Sequence, residues 1–302
     1  MKRKSSFHPY ALTAVLCWSL AYVLTRLSLQ HFSAFSIGSL RYLVASVTLL
    51  IIIFPAKIKC PRKADLPWFF LSGALGFFLY MIAYNQGQKS VSAATGSVVI
   101  ATVPVFTALL ARFVYREKLN AFQWAAIVIE FAGVAVLTLM NGVFSVNVGL
   151  FWLLGAALCT SVYNLVQRRL TMRYSGLQSS AFSILFGALL LSIFLPSSLK
   201  EAASAPPILL FYVAVMGIFS SAVAYIAWSL ALSKAKQTSQ VSNYMFITPL
   251  LTSILGFLIA GEIPDRPTLI GGSIILFGIV VFHFGGKIYG ALPRQQRTTA
   301  QK

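Results

Sequence analysis

The sequence is short of acid. Aspartate and glutamate together number 6 in 302 residues, histidine and cysteine 3 each, and charged residues of both signs make up only 10%. That is too little charge to cover the surface of a water-soluble domain of this length. No glycine-rich phosphate loop of the Walker type is present, which argues against ATP hydrolysis by this chain. Cys17, Cys60 and Cys159 lack metal-ligand spacing, and the scattered histidines and acids form no catalytic or metal cluster. Neither a cofactor nor a metal nor an enzymatic activity is therefore expected.

What the chain has instead is apolar length. Hydrophobic residues make up 58%, and they gather into runs of roughly 18 to 25 residues, enough to cross a bilayer as helices. Ten such runs can be read, over 9–26, 34–54, 66–88, 93–115, 121–140, 148–167, 177–195, 207–232, 239–260 and 267–284. Only helices or closed barrels satisfy every backbone group inside lipid, and these runs do not alternate as barrel strands do. The expectation is an all-α integral membrane protein with ten transmembrane helices. The first run follows Lys2, Arg3 and Lys4 as a secretory signal would, but "AYVLTRLS" is a poor cleavage site and the segment has a counterpart later in the chain.

The net charge of +18 invites a nucleic-acid reading, but its distribution argues for topology. With the N-terminus in the cytoplasm, basic residues at 2–4, 57–63, 112–118, 168–173, 234–236 and 287–302 fall on that side, 19 of the 24. The opposite face receives Arg26, Lys89, Lys200 and Arg266, and Arg41 falls within the second helix. The positive-inside rule then puts both termini in the cytoplasm and leaves no role for nucleic acid. For a cell bounded by a plasma (inner) membrane, that is where the chain is expected.

The chain also repeats itself. "VPVFTALLARFVYREKL" at 103–119 returns as "TPLLTSILGFLIAGEIP" at 248–264, matching Pro104 with Pro249, Thr107 with Thr252 and Glu117 with Glu262 at an offset of 145. "CWSLAYVLTR" aligns with "CTSVYNLVQR" at an offset of 142, pairing Arg26 with Arg168. Five helices per half is an odd number, so the second copy enters the membrane upside down, and the basic residues of the first copy vanish from the second. The division expected is a cytoplasmic N-terminal segment 1–8, a first repeat 9–141, a short external linker 142–147, a second repeat 148–285 and a basic cytoplasmic tail 286–302. Inverted repeats are a common scaffold of secondary transporters, although duplication also serves simply to build a stable bundle.

With these segments in view, the chain resembles the EamA-type branch of the drug/metabolite transporter superfamily over essentially its whole length. The resemblance rests on "CWSLAYVLTRLSL" as the opening tryptophan helix, "RYLVAS" in the second helix and the two proline-glutamate segments; it departs where tryptophan-glycine becomes Trp18-Ser19. It implies a multi-pass exporter or facilitator of small metabolites, often amino acids or their derivatives.

Polar atoms inside a membrane must face protein, ligand or water, so polar and aromatic stripes at helical spacing are the candidates for a substrate cavity. Helix 6 carries Thr160, Tyr163, Asn164 and Gln167 on one face; helix 1 carries Trp18, Tyr22 and Thr25; helix 3 carries Tyr80, Tyr84 and Gln88. Helix 8 adds Ser221, Tyr225 and Trp228, and helices 4 and 9 add Thr102 and Asn243. Such a cavity would suit amphipathic organic solutes. The same residues also serve ordinary helix packing and the interfacial belt.

Other positions have paired readings. Pro104 and Pro249 each remove a helical hydrogen bond, giving either gates or static kinks. Glu130, in the middle of helix 5, is either a proton-coupling group or a structural acid. Arg41 either attracts a carboxylate substrate or snorkels towards the external interface. Glu117 and Glu262 read as loop anchors, or alternatively as latches. Gly271, Gly278 and Gly285 recur every seven residues, which would seat a helix of the same bundle or of a homodimer partner. The partners expected are a small-molecule substrate and membrane lipids. A membrane enzyme, a lipid-binding protein and a passive channel remain alternatives to a carrier.

Overall fold

The computed structural model describes residues 6–117, 119–139, 148–263 and 265–291. All regular structure among them is helical. Eight helical runs are long and apolar enough to cross a membrane: α1 (His8–Ser28), α2 (Ala34–Ile53), α3 (Lys63–Gln88), α4 (Thr95–Val114), α6 (Val148–Thr171), α7 (Gly176–Ala203), α8 (Pro207–Lys234) and α9 (Thr238–Ala260). Two more helices, α5 (Ala121–Leu139) and α10 (Arg266–Ala291), carry shorter apolar stretches. Their exposed side chains are largely apolar, with Ile51, Phe54, Phe113, Val128, Leu189, Phe257 and Leu258 all more than half exposed, as lipid-facing surfaces require.

Helix starts follow local chemistry. Ser33 and Ser175, 142 residues apart, each accept a hydrogen bond from the backbone N–H three residues on and so cap α2 and α7. Ser92 does the same at the start of the α4 segment, through Thr95. Most boundaries agree with the apolar runs to within a few residues. The largest differences are at α7, which tightens at Ser192–Phe194 and restarts with Pro196 near its head to reach Ala203, and at α10, which stays helical to Ala291. The reason at α7 is compositional: Ser197, Lys200 and Glu201 break the apolar run but not the helix, and the Glu201 carboxylate accepts the Ser33 N–H at 2.7 Å. The expected tail from 286 accordingly begins as helix. Residues 1–5 of the N-terminal segment, the linker 142–147 and the tail beyond 291 lie outside the described residues.

Two helices contain widened π-helical turns, Ala74–Leu79 in α3 and Met216–Val223 in α8, whose starts are again 142 residues apart. The prolines interrupt two other helices, α4 and α9. Pro104 has no N–H for the Ile100 carbonyl, and the chain between Ile100 and Val103 is a tight turn in which Thr102 Oγ1 donates to Val99 O at 2.8 Å. Before Pro249 the backbone tightens over Asn243–Ile247. Neither proline therefore sits in a continuous helix; each heads a second segment.

Packing relies on glycine where backbones meet. α3 crosses α7 so closely that a Cβ on Gly73 would lie 2.8 Å from both the Gly187 nitrogen and the Ser183 oxygen. α5 packs chiefly on α10, and there a Cβ on Gly278 would meet Glu130 Cγ at 2.6 Å while one on Gly285 would meet Phe122 at 2.7 Å. The glycine stripe of α10 thus seats α5 within the chain, which removes it as a reason to expect a homodimer.

Gly73→Ala should lower the thermal midpoint of the purified protein, because overpacking against backbone costs about 1–3 kcal/mol. Gly155→Ala, where a Cβ meets nothing within 4 Å, should not lower it. Equal midpoints for the two variants would contradict this account of the α3–α7 crossing.

Candidate functional site

The widest aromatic cluster lies between helices drawn from both halves of the chain. Phe77, in the π turn of α3, is its hub, with ring centroids 5.3 Å from Tyr42, 5.3 Å from Tyr163 and 4.8 Å from Tyr225. Trp18 of α1 packs on Tyr225 at 5.1 Å and on Trp228 at 4.9 Å. Tyr84 packs edge-on to Tyr22 at 5.4 Å and stacks on Tyr80 at 5.5 Å. Tilted and edge-to-face pairs of this kind hold large rings in fixed relative orientation.

Beside the cluster is a cavity lined by Trp18, Ala21, Tyr22, Arg41, Tyr80, Tyr84, Thr160, Tyr225, Met245 and Thr248. Trp18, Thr160, Tyr225 and Thr248 each stand near the middle of their helix. The space between these side chains is a set of slots so narrow that only about one or two waters would fit. Six of the residues expected from the sequence are therefore brought to one wall: Trp18, Tyr22, Tyr80, Tyr84, Thr160 and Tyr225.

The others are elsewhere. Asn164 is fully buried behind the wall, accepting the Trp228 indole N–H at 2.8 Å through Oδ1 and donating to Thr107 Oγ1 at 3.3 Å. Tyr163 packs against Phe77 and Tyr225 over Gly76, where a Cβ would meet its ring at 2.3 Å. Gln167 donates to Ser229 at 2.6 Å, in a polar chain with Ser72 and Ser180 that ties α3, α6, α7 and α8 together. Thr102 and Asn243 are buried but do not line the cavity. The stripe on α6 was thus a packing face with one residue, Thr160, turned to the cavity. Met245 and Thr248 were not foreseen; the signal was their position just before Pro249, where the helix tightens.

Arg41 does not snorkel. It is 3% exposed, donates from Nε to Ser221 Oγ at 2.6 Å and from Nη2 to the Ser220 carbonyl at 3.4 Å. The same carbonyl accepts the Trp18 indole N–H at 3.0 Å, and Ser220 Oγ donates to Cys17 O at 2.6 Å. A π turn leaves carbonyls free of their usual helical partners, and here the freed carbonyl orients two cavity residues.

Glu117 and Glu262 form a reciprocal pair. The Glu117 carboxylate accepts the Thr238 N–H at 2.9 Å and the Ser239 hydroxyl at 3.0 Å, at the start of α9. The Glu262 carboxylate accepts the Ala93 N–H at 3.2 Å, at the start of the α4 segment. Each glutamate follows the helix whose counterpart it caps, supplying an acceptor and a negative charge to a helix N-terminus. Arginines complete both corners: Arg26 donates to the Gln88 and Lys89 carbonyls and lies 3.9 Å from Glu262, while Arg168 donates to the Leu232 and Lys236 carbonyls. Glu130 is remote from this arrangement. It is 2% exposed in α5, against Gly278 of α10, with no partner for either oxygen among the described residues.

A helical membrane bundle with an aromatic, sparsely polar cavity at mid-helix depth defines a class of multi-pass integral membrane protein. The sequence places it further: the chain belongs to the EamA-like transporter family, whose pattern matches twice, over residues 6–139 and 147–284. It is 28% identical over 269 residues to a probable terminal-alkyne amino-acid exporter of Streptantibioticus cattleyicolor, covering 89% of this chain and 90% of that one. It is 29% identical over 263 residues to the uncharacterized transporter YdfC of Bacillus subtilis, covering 87% and 86%. A solved crystal structure superposes with a TM-score of 0.70 at 19% identity, over 94% of this chain and 99% of that chain, which shows a shared fold.

Asn164→Leu should destabilise the protein by about 1–3 kcal/mol in thermal unfolding, because it leaves the Trp228 N–H buried without an acceptor. Adding Trp228→Phe should recover part of the loss. Additive losses in the double variant would contradict the coupling.

Proposed function

We propose that the protein is a secondary carrier that exports or facilitates the passage of small organic metabolites, amino acids and related amphipathic compounds among them. It works by alternating access across the plasma membrane. In this reading ten membrane helices form two inverted five-helix repeats with both termini in the cytoplasm, as the distribution of basic residues favours. The observation that carries it is the aromatic cavity walled by α1, α2 and α3 from one half and by α6, α8 and α9 from the other. A site shared by two halves can be opened by rocking one against the other. The slots are too narrow for a solute, so in this reading entry requires cavity-lining rings such as Trp18, Tyr22 or Tyr84 to move.

The two corners supply the gates. In the proposed topology Glu117 and Arg168 lie at the cytoplasmic end and Glu262 and Arg26 at the outer end; the two glutamates tie helix starts of one half to the other, and the arginines fix helix ends within their own half. Pro104 and Pro249 let the helices capped there pivot. The likeness to an amino-acid exporter supports a substrate of that kind.

Counterflow of a radiolabelled amino-acid and metabolite panel in proteoliposomes should be saturable. It should fall at least about tenfold in Trp18→Ala and Tyr84→Ala, the loss expected when a large ring is removed from a binding site, and stay unchanged in the lipid-facing Ile51→Ala. Unsaturable flux would instead favour a channel. Proton coupling through Glu130 predicts that a pH gradient drives flux in the wild type and not in Glu130→Gln.

In a cysteine-free background, a cysteine at Ala21 reports access to the cavity. Glu262→Gln should speed its labelling by an impermeant reagent from outside, and Glu117→Gln from inside. Shifts in the same direction for both variants would reduce the corners to structural caps.

A further inference from the structure

The cavity wall holds one formal charge, that of Arg41, and no acid among the described residues pairs with it; the Tyr42 ring lies 5.8 Å from its guanidinium carbon. Arg41 lies within α2 and is buried, yet none of the chain's 6 acids lies within ion-pair distance of it or on the wall. All of those acids are among the described residues, each engaged or placed elsewhere: Asp65 with Arg173 and Tyr174, Glu117 and Glu262 at the corners, Glu201 with Ser33, Glu130 in the α5–α10 interface, and Asp265 in the link before α10. Arginine stays protonated in proteins, so the charge is permanent. Ser221 and the Ser220 carbonyl take Nε and one Nη2 hydrogen; the rest of the guanidinium has no acceptor among the described residues.

A helix staple between α2 and α8 does not need this residue, because neutral side chains such as serine and asparagine tie transmembrane helices together. A buried cation without a counter-charge is costly unless something visiting the site supplies one. A second buried polar group also waits at the wall: Thr248 Oγ1 has no hydrogen-bond partner. Around these two groups the surface is aromatic.

Building on the carrier reading above, we infer that Arg41 is the carboxylate anchor of the cavity and that the transported solutes are organic monocarboxylates carrying an apolar or aromatic group. The guanidinium fork matches a carboxylate's two oxygens. Ser221 and the freed Ser220 carbonyl hold it from behind, and Trp18, Tyr22, Tyr80, Tyr84 and Tyr225 bury the apolar part. An α-amino group is compatible, with Thr248 as acceptor and ring faces as cation partners, but it is not what the site selects.

The test is calorimetric binding to the full chain in nanodiscs, using 3-phenylpropanoate, L-phenylalanine, 3-phenylpropanamide and phenethylamine, paired with flux in proteoliposomes. Both carboxylates should bind about ten- to a hundredfold more tightly than the amide and the amine, the range expected for a charge-assisted contact. Arg41→Gln should abolish that preference, and Arg41→Lys should keep part of it. The acid-to-amide ratio is the readout, so a general loss of packing does not mimic the effect. If Arg41→Gln does not fold, the wild-type ratio and Arg41→Lys still decide. Equal binding of acid and amide, an acid preference that survives Arg41→Gln, or no carboxylate binding at millimolar concentration would each overturn the inference. Flux of neutral or cationic solutes without acid preference would overturn it and leave the carrier reading standing. Carboxylate binding without flux would support Arg41 and remove the carrier.

Discussion

The arrangement depends on one backbone irregularity, the π turn at Met216–Val223 in α8. An ordinary helical turn would spend the Ser220 carbonyl on its own ladder. The widened turn leaves it to accept from Trp18 and Arg41, while the Ser220 and Ser221 hydroxyls reach Cys17 O and Arg41 Nε. Three helices are thereby fixed to each other at the depth of the cavity. Inside a membrane, where water cannot repair a misplaced polar group, that requirement leaves little freedom in where Trp18 and Arg41 stand. The counterpart turn at Ala74–Leu79 places Phe77 against Tyr42, Tyr163 and Tyr225 and so fixes the opposite side of the same cluster.

Helix positions were legible because the bilayer imposes them. A crossing helix needs a long apolar run, and the runs read from the sequence coincide with the helices to within a few residues except where a polar stretch stays helical, as at Leu195–Ala203. The cavity was legible only in part. Trp18, Tyr22, Tyr80, Tyr84, Thr160 and Tyr225 share a wall, but Tyr163, Asn164 and Trp228 were assigned to it by the same periodicity and stand behind it. A polar face turned to a neighbouring helix has the same spacing as one turned to a void. A π turn adds a residue, rotating everything after it by about 100°, and a tightened turn such as Asn243–Ile247 rotates the other way. Extrapolation across these irregularities chose Asn243 and passed over Met245 and Thr248. Arg41 kept two readings for a different reason: the choice between them depends on Ser220 and Ser221, far away in sequence and invisible to any local rule.

The corners show how sequence symmetry becomes mechanical relation. Helix ends carry backbone groups without intrahelical partners, and inside or near a membrane these must be met by protein. Glu117 ends the α4 region but caps α9; Glu262 ends α9 but caps the start of the α4 segment. Arg26 and Arg168 do the complementary work on the carbonyl ends of α3 and α8. Through Glu117 and Glu262 each half therefore caps a helix start of the other, while the two arginines close helix ends within their own half.

That reciprocity bears on how a cavity between the halves could open. In the proposed carrier, parting the halves at one corner would expose the capped N–H groups and one carboxylate to water at that end while the other corner stayed closed. Opening both at once would forgo both sets of contacts and their charge-assisted hydrogen bonds together. In that reading the two ends of the cavity would be biased against being open simultaneously, and the prolines that interrupt α4 and α9 stand one helical segment away from the caps that would be released. Caps across the boundary between halves also hold a static bundle together; what the carrier reading adds is a use for Arg41, which pairs with no acid among the described residues.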